Sequence, residues 1–166
     1  MPAAGIIDAM SDVRRLAAGD VPAAVAIVRR LPDYFTDDVP GHVEHAAASQ
    51  DGWVVVDAGT VAGFALAERK SPAGAEISWM AVDRPRRRLG LGTLLLNRVL
   101  GDLSADAVSV IEVKTLDRSS GYEPYEATRA FWERSGFVQV DTIDPLPGWP
   151  AGNPAAIYVA ALRPTR

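Results

Sequence analysis

One amphipathic segment separates two strand-like runs in the middle of the chain, and this limits the folds open to it. Ala75–Val82 reads as the last strand of a hairpin series, and Val108–Leu116 (VSVIEVKTL) as a strand by its β-branched content. Between them, Gly92–Leu103 carries apolar residues at 94, 95, 96, 99, 100 and 103, the pattern of a helix with one apolar face. A strand, a helix and a strand in that order make a crossover with parallel strands. Upstream, Trp53–Asp57 and Val61–Arg69 flank the turn Ala58-Gly59-Thr60, and Ser71-Pro72-Ala73-Gly74 turns the chain again into Ala75–Val82. These are antiparallel hairpins. Hairpins that feed a crossover imply a mixed sheet with helices on both faces.

The flanking segments extend this plan. Ser11–Ala18 reads as a strand closed by Gly19-Asp20. Asp20 then caps a helix from Val21 to about Arg30, with Pro22 in its first turn and apolar residues at 21, 25 and 28. Leu31–Gly41, with two prolines and three aspartates, reads as a loop, and His42–Ser49 as a second short helix. Asp83–Leu89 is a basic loop and Asp117–Pro124 a polar one. Tyr125–Ser135 reads as a helix ended by Gly136. Phe137–Thr142 and Ala156–Ala161 are final strands, joined by Ile143–Pro154, which holds four prolines and Trp149. The order β-α-α-β-β-β-α-β-α-β-β predicts an α/β (α+β mixed) fold with about seven strands. A chain of 166 residues suits one domain over 1–166, with Met1–Met10 a loose extension lacking the marks of a signal peptide.

Composition removes several kinds of chemistry. There is no cysteine, so a disulfide framework, a thiol nucleophile and a thiolate metal site are excluded. This suits a cytoplasmic location. No apolar run reaches about 18 residues, so no membrane span is expected. A net charge of −4 disfavours a nucleic-acid surface. His42 and His45 flank Glu44, but the pattern is not His-Glu-x-x-His and no third ligand is evident, so no metal is expected.

The most informative stretch is Arg87-Arg88-Leu89-Gly90-Leu91-Gly92-Thr93, between a strand and a helix. Glycines let a ligand approach the backbone. The first N–H groups of the helix have no partner within it, and its positive dipole end favours an anion. Arg84, Arg86, Arg87 and Arg88 add positive charge, so a diphosphate is the natural guest. The Walker pattern is absent, because no lysine follows Gly92. The dinucleotide fingerprint is absent too, because Leu95 stands where its third small residue belongs. Arg87-x-x-Gly90-x-Gly92 does fit Arg/Gln-x-x-Gly-x-Gly/Ala.

That pattern is the coenzyme A loop of the GNAT N-acetyltransferase superfamily, which the chain resembles at two places. Ala75–Gly92, AEISWMAVDRPRRRLGLG, resembles the strand-loop-helix core of the superfamily. Tyr125–Phe137, YEATRAFWERSGF, resembles its second motif, Asn-x-x-Ala-x-x-x-Tyr-x-x-x-Gly-Phe. The resemblance implies a mostly antiparallel sheet that splays between its fourth and fifth strands. It also implies acetyl-coenzyme A as cosubstrate. The pantetheine arm is then expected along Met80, Ala81 and Val82, and the pyrophosphate on Arg87, Arg88, Leu89, Gly90, Leu91, Gly92 and Thr93. Thr128 and Trp132 are expected to add cofactor contacts. Trp132 replaces a tyrosine that often protonates the departing thiolate, and Tyr125 replaces an asparagine. Indole cannot donate that proton, which leaves Tyr122, Tyr125 or water.

Acetyl transfer requires a neutral amine, and a free alkylamine has a pKa of about 10, so a base is needed. Glu76 opens the fourth strand fourteen residues before Gly90, the spacing of the base glutamate in histone-acetylating members, and Glu112 is the second choice. Tyr34, Phe35, Asp37 and Asp38 fall where the superfamily often walls the acceptor, and acidic residues there suit a cationic amine. The expected activity is transfer of acetyl to a primary amine, a small molecule before a protein N-terminus or lysine. A non-catalytic acyl-coenzyme A sensor is the alternative from another class. The Ile143–Pro154 loop offers a surface for a second subunit.

Overall fold

The structure, a computed structural model, describes residues 10–87 and 89–163. Among these, the elements are β1 (Ser11–Arg15), α1 (Val21–Arg29), α2 (Val39–Ala47), β2 (Asp51–Asp57), β3 (Thr60–Arg69), β4 (Gly74–Val82), α3 (Leu91–Ala105), β5 (Val110–Leu116), α4 (Tyr125–Arg134), β6 (Val138–Ile143) and β7 (Ala155–Ala161). The strands form a seven-stranded sheet in the order β1-β2-β3-β4-β5-β7-β6. β1–β2, β2–β3, β5–β7 and β6–β7 pair antiparallel. β4 and β5 are neighbours joined by one helix, the parallel crossover that the central pattern requires. The Met1–Met10 extension lies almost wholly outside the described residues.

Two compact units divide the chain. The first comprises residues up to Glu68 with Ile77–Leu103. Its β2–β3 hairpin closes at Asp57↔Thr60, so the turn is Ala58-Gly59 alone, with φ of 49° and 79°. Val54, Phe64 and Leu66 form a core with Ala24, Ile27 and Val28 of α1 and Val43 of α2. Strand alternation sends Trp53 to the other face, where its indole N–H donates to Asp102 of α3 at 2.8 Å. Buried Leu95, Leu96, Val99 and Leu103 line α3. This unit therefore carries helices on both faces of its strands.

Several boundaries shift for physical reasons. β1 stops at Arg15 instead of reaching Ala18. The Asp20 carboxylate accepts the Ala17 N–H at 2.7 Å and both Arg14 terminal nitrogens, which pulls the chain into a 3-10 turn. α2 begins at Val39, inside the segment expected to be a loop, because Pro40 falls in a first turn where its missing N–H costs nothing.

The second unit comprises Arg69–Glu76 and the chain from Ser104. β7 lies between β5 and β6, with Val113↔Tyr158 and Gln139↔Tyr158 in register. β5 begins at Val110 rather than Val108. Ala107 at φ 66° breaks the chain direction, and the N–H groups of Ser109 and Val110 both bond Ala73 O. Along β5, Ile111, Val113 and Thr115 are buried, while Glu112 and Lys114 point the other way.

Candidate functional site

After β4 the chain makes a 3-10 turn over Arg84–Arg86 before reaching Gly90 and α3. Asp83 begins this turn, its carboxylate accepting the Arg84 N–H at 3.1 Å. Gly90 has φ +78°, a region that L side chains avoid. A Cβ built there would meet no heavy atom within 4 Å. The turn thus favours glycine, and its open side lets a ligand reach the backbone. Gly90 O accepts from Leu94 N–H at 3.0 Å, so Leu91, Gly92 and Thr93 make a first helical turn whose N–H groups lack intrahelical partners. Leu91 is buried and anchors this turn, while Leu89 is exposed. These features fit an anionic group approaching from outside. Arg88 lies outside the described residues.

Three links tie this loop to the connection between α1 and α2. Arg30 bonds Asp83 at 2.9 Å, and Arg84 bonds Asp33 at 3.0 Å. Arg87 lies over the Tyr34 ring at 4.7 Å from its centroid and donates to the Tyr34 hydroxyl at 3.3 Å. Its Nε also donates to Val82 O at 3.3 Å. Arg86 is paired with the Asp57 carboxylate. The expectation that four arginines charge the loop mouth is therefore corrected, because aspartates neutralise Arg84 and Arg86 locally. Among the described loop arginines, Arg87 is the one without a carboxylate partner.

The second unit holds a cluster of charges around Glu76. Its side chain, 11% exposed, receives Lys114 Nζ and Lys70 Nζ on Oε2, each at 3.2 Å. Lys114 Nζ also lies 3.2 Å from Glu112 Oε1. The sequence contains only these two lysines among 17 basic residues, and both reach the same carboxylate oxygen. The spacing of motifs does not reveal the contact of Lys70 and Lys114 with Glu76, which the sheet creates.

On α4, Thr128 is half-buried. Trp132 is 6% exposed and stacks edge-on against Phe131 and Phe137, each with centroids 5.1 Å away. Tyr122 and Tyr125 lie at the start of the helix with ring centroids 6.0 Å apart. In the first unit Met80 and Val82 are half-buried and Ala81 is buried. Phe35 contacts Trp79 at 6.4 Å between centroids, and Asp37 and Asp38 are exposed.

Two groups that motif spacing does not single out are structural hubs. Asp117, assigned to a polar loop by the sequence, is buried at the end of β5. Burial alone would raise its pKa. The Ser119 hydroxyl and N–H, Gln139 and Thr142 outweigh burial and hold it at about 2. Tyr158 is fully buried and donates to Glu133 Oε1 at 3.0 Å. Burial, then this bond, raise its pKa, so it is a poor proton donor. His42 pairs with Asp38 at 3.2 Å on the surface of α2.

Residues 48–139 match the family described as "Acetyltransferase (GNAT) domain". No curated protein is significantly similar in sequence. Similar solved structures include a GNAT-family acetyltransferase from Desulfovibrio desulfuricans, at 21% identity and TM-score 0.79, covering 92% of this chain and 99% of that one. The ribosomal-protein-S18-alanine N-acetyltransferase of Escherichia coli has 20% identity and TM-score 0.75, with 92% and 94% covered. A GNAT-family acetyltransferase from Elizabethkingia anophelis, solved with acetyl-CoA bound, has 16% identity and TM-score 0.71, with 93% and 100% covered.

Proposed function

Because the chain belongs to the GNAT acetyltransferase family, we propose that it transfers the acetyl group of acetyl-coenzyme A to the primary amine of a small molecule, by direct attack in a ternary complex. The observation that carries this reading is the loop before α3. Gly90 sits at φ +78° with open space beside it, at the start of a helix whose first N–H groups have no partner within the helix. Gly90, Leu91, Gly92 and Thr93 would hold the pyrophosphate through backbone N–H groups, with Arg87 supplying charge. The backbone of Met80–Val82 would pair with the pantetheine amides, whose own polar groups need partners.

Acetyl-coenzyme A brings the activated acetyl thioester; the protein must manage protons. The acceptor amine has to lose a proton as the C–N bond forms, and the thiolate has to gain one as the C–S bond breaks. Glu76 is the proposed base. Two ammonium groups already occupy Oε2, so a proton would go to Oε1. Tyr125 or Tyr122 is the proposed donor to the thiolate. The exposed acidic residues Asp37 and Asp38 suit a cationic amine as acceptor. The test is a panel of small amines and of peptides with free N-termini or lysines, followed by release of coenzyme A. Turnover confined to peptides would replace the small-molecule reading, and no turnover with any acceptor would favour a sensor.

A further inference from the structure

We infer that Tyr34 is a positioning residue for cofactor binding: it aims the Arg87 guanidinium from the α1–α2 connection, so that the segment carrying Phe35, Asp37 and Asp38 is mechanically joined to the anion loop. The inference rests on the proposed cofactor role of the Gly90 loop.

Arg87 alone among the described loop arginines keeps its charge uncompensated by a carboxylate. Its side chain is nevertheless held on two sides. Nε donates to Val82 O, and the plane lies over Tyr34 with Nη1 on the phenol oxygen. A guanidinium has five N–H donors in a fixed fork, so these two bonds leave the remaining donors, including both on Nη2, for an anion. Arginine loses much rotamer freedom when it binds, and a side chain already fixed loses less. The Tyr34 ring does this fixing without neutralising the charge, which an aspartate partner would do. Residues 33–35 are themselves fastened to the loop through Asp33–Arg84, and the end of α1 through Arg30–Asp83. Tyr34 is therefore one point of a three-point seam rather than a residue of a free loop.

The experiment is a double-mutant cycle read by coenzyme A titration calorimetry, with melting temperatures confirming folded protein. Arg87→Met is expected to weaken coenzyme A binding by about tenfold or more, as loss of a charge-assisted contact. Tyr34→Leu is expected to weaken it about three- to tenfold, the range of a cation–π and hydrogen-bond support. Tyr34→Phe keeps the ring and is expected to lose no more than about threefold. In the Arg87→Met background, Tyr34→Leu should cost nothing further, because the partner is gone. Additive losses, or full affinity in Tyr34→Leu, overturn the positioning role while Arg87→Met still reports on the loop. Full affinity in Arg87→Met also overturns the inference, because no Arg87 contact is then left to position, while Gly90→Asp tests the loop reading separately. Should Tyr34→Leu fail to fold, the Phe variant answers the same question: its small loss must vanish in Arg87→Met, and a loss that persists there overturns the inference.

Discussion

Lys114 Nζ lies 3.2 Å from Glu76 Oε2, an ion pair at a carboxylate that is almost wholly buried. Lys70 adds a second ammonium to the same oxygen. This geometry gives Glu76 two possible roles, base or anionic anchor, and they predict different variants. As base, Glu76→Gln should lower kcat by about 10²–10⁴-fold, with the loss shrinking as pH rises and the amine neutralises itself. As anchor alone, Glu76→Gln leaves two lysines facing an amide, and the main effect should be a lower melting temperature. We expect the kinetic loss, measured as kcat/KM against pH for both proteins. Parallel profiles, together with a large kcat loss in Glu112→Gln, would transfer the base role to Glu112.

Gly90→Asp should abolish measurable coenzyme A binding while the protein stays folded. The position has φ +78°, which an aspartate tolerates better than most residues, at a cost of about 1 kcal/mol. Its side chain would meet no protein atom near Cβ, so the new carboxylate enters the space proposed for the pyrophosphate. Calorimetric titration with coenzyme A checks this, and unchanged affinity in the folded variant would remove the site from this loop.

The order of strands and helices was legible because each element carries its own period. Gly92–Leu103 repeats as a helix must, and the β-branched run 108–116 does not. The loop was legible because Gly90 and Gly92 serve backbone geometry, which is local. What sequence could not show is pairing across distance. Asp57 and Arg86 are 29 residues apart, and Asp33 and Arg84 are 51 apart, so four loop arginines looked like uniform charge when two are neutralised. Asp117 looked like one more polar loop residue because its partners Gln139 and Thr142 arrive from β6. Pro40 read as a loop marker, although the first turn of α2 accepts it.

Trp132→Phe separates packing from chemistry on α4. The indole is buried edge-on between Phe131 and Phe137, so a smaller ring leaves a void and should cost about 1–3 kcal/mol of stability. Turnover at a temperature well below melting should change little, since indole donates no proton to a thiolate. Denaturant melts and steady-state kinetics on the same variant decide it. A kcat loss beyond about 100-fold at normal cofactor affinity would show a direct part in the reaction.

Asp117 predicts how stability responds to acid. Its folded-state pKa is about 2, below the model-peptide value of 3.8, because Ser119, Gln139 and Thr142 together overcome burial and favour the carboxylate. A depressed folded-state pKa means that the group stabilises the fold fully above its unfolded value. That contribution, about 2 kcal/mol, falls away as pH drops from about 4 towards 2. Asp117→Asn removes the charge at every pH and sets a neutral amide against the Ser119 N–H and hydroxyl and the Gln139 amide. The variant should be less stable by about 1–3 kcal/mol at neutral pH. Its loss of stability between pH 4 and 2 should be shallower than that of the parent, because this carboxylate no longer titrates. Chemical denaturation at pH 7, 4 and 3 measures both quantities. A variant that matches the parent at neutral pH, or that loses stability with the same acid slope, would show that the Asp117 charge does not hold the end of β5 against β6.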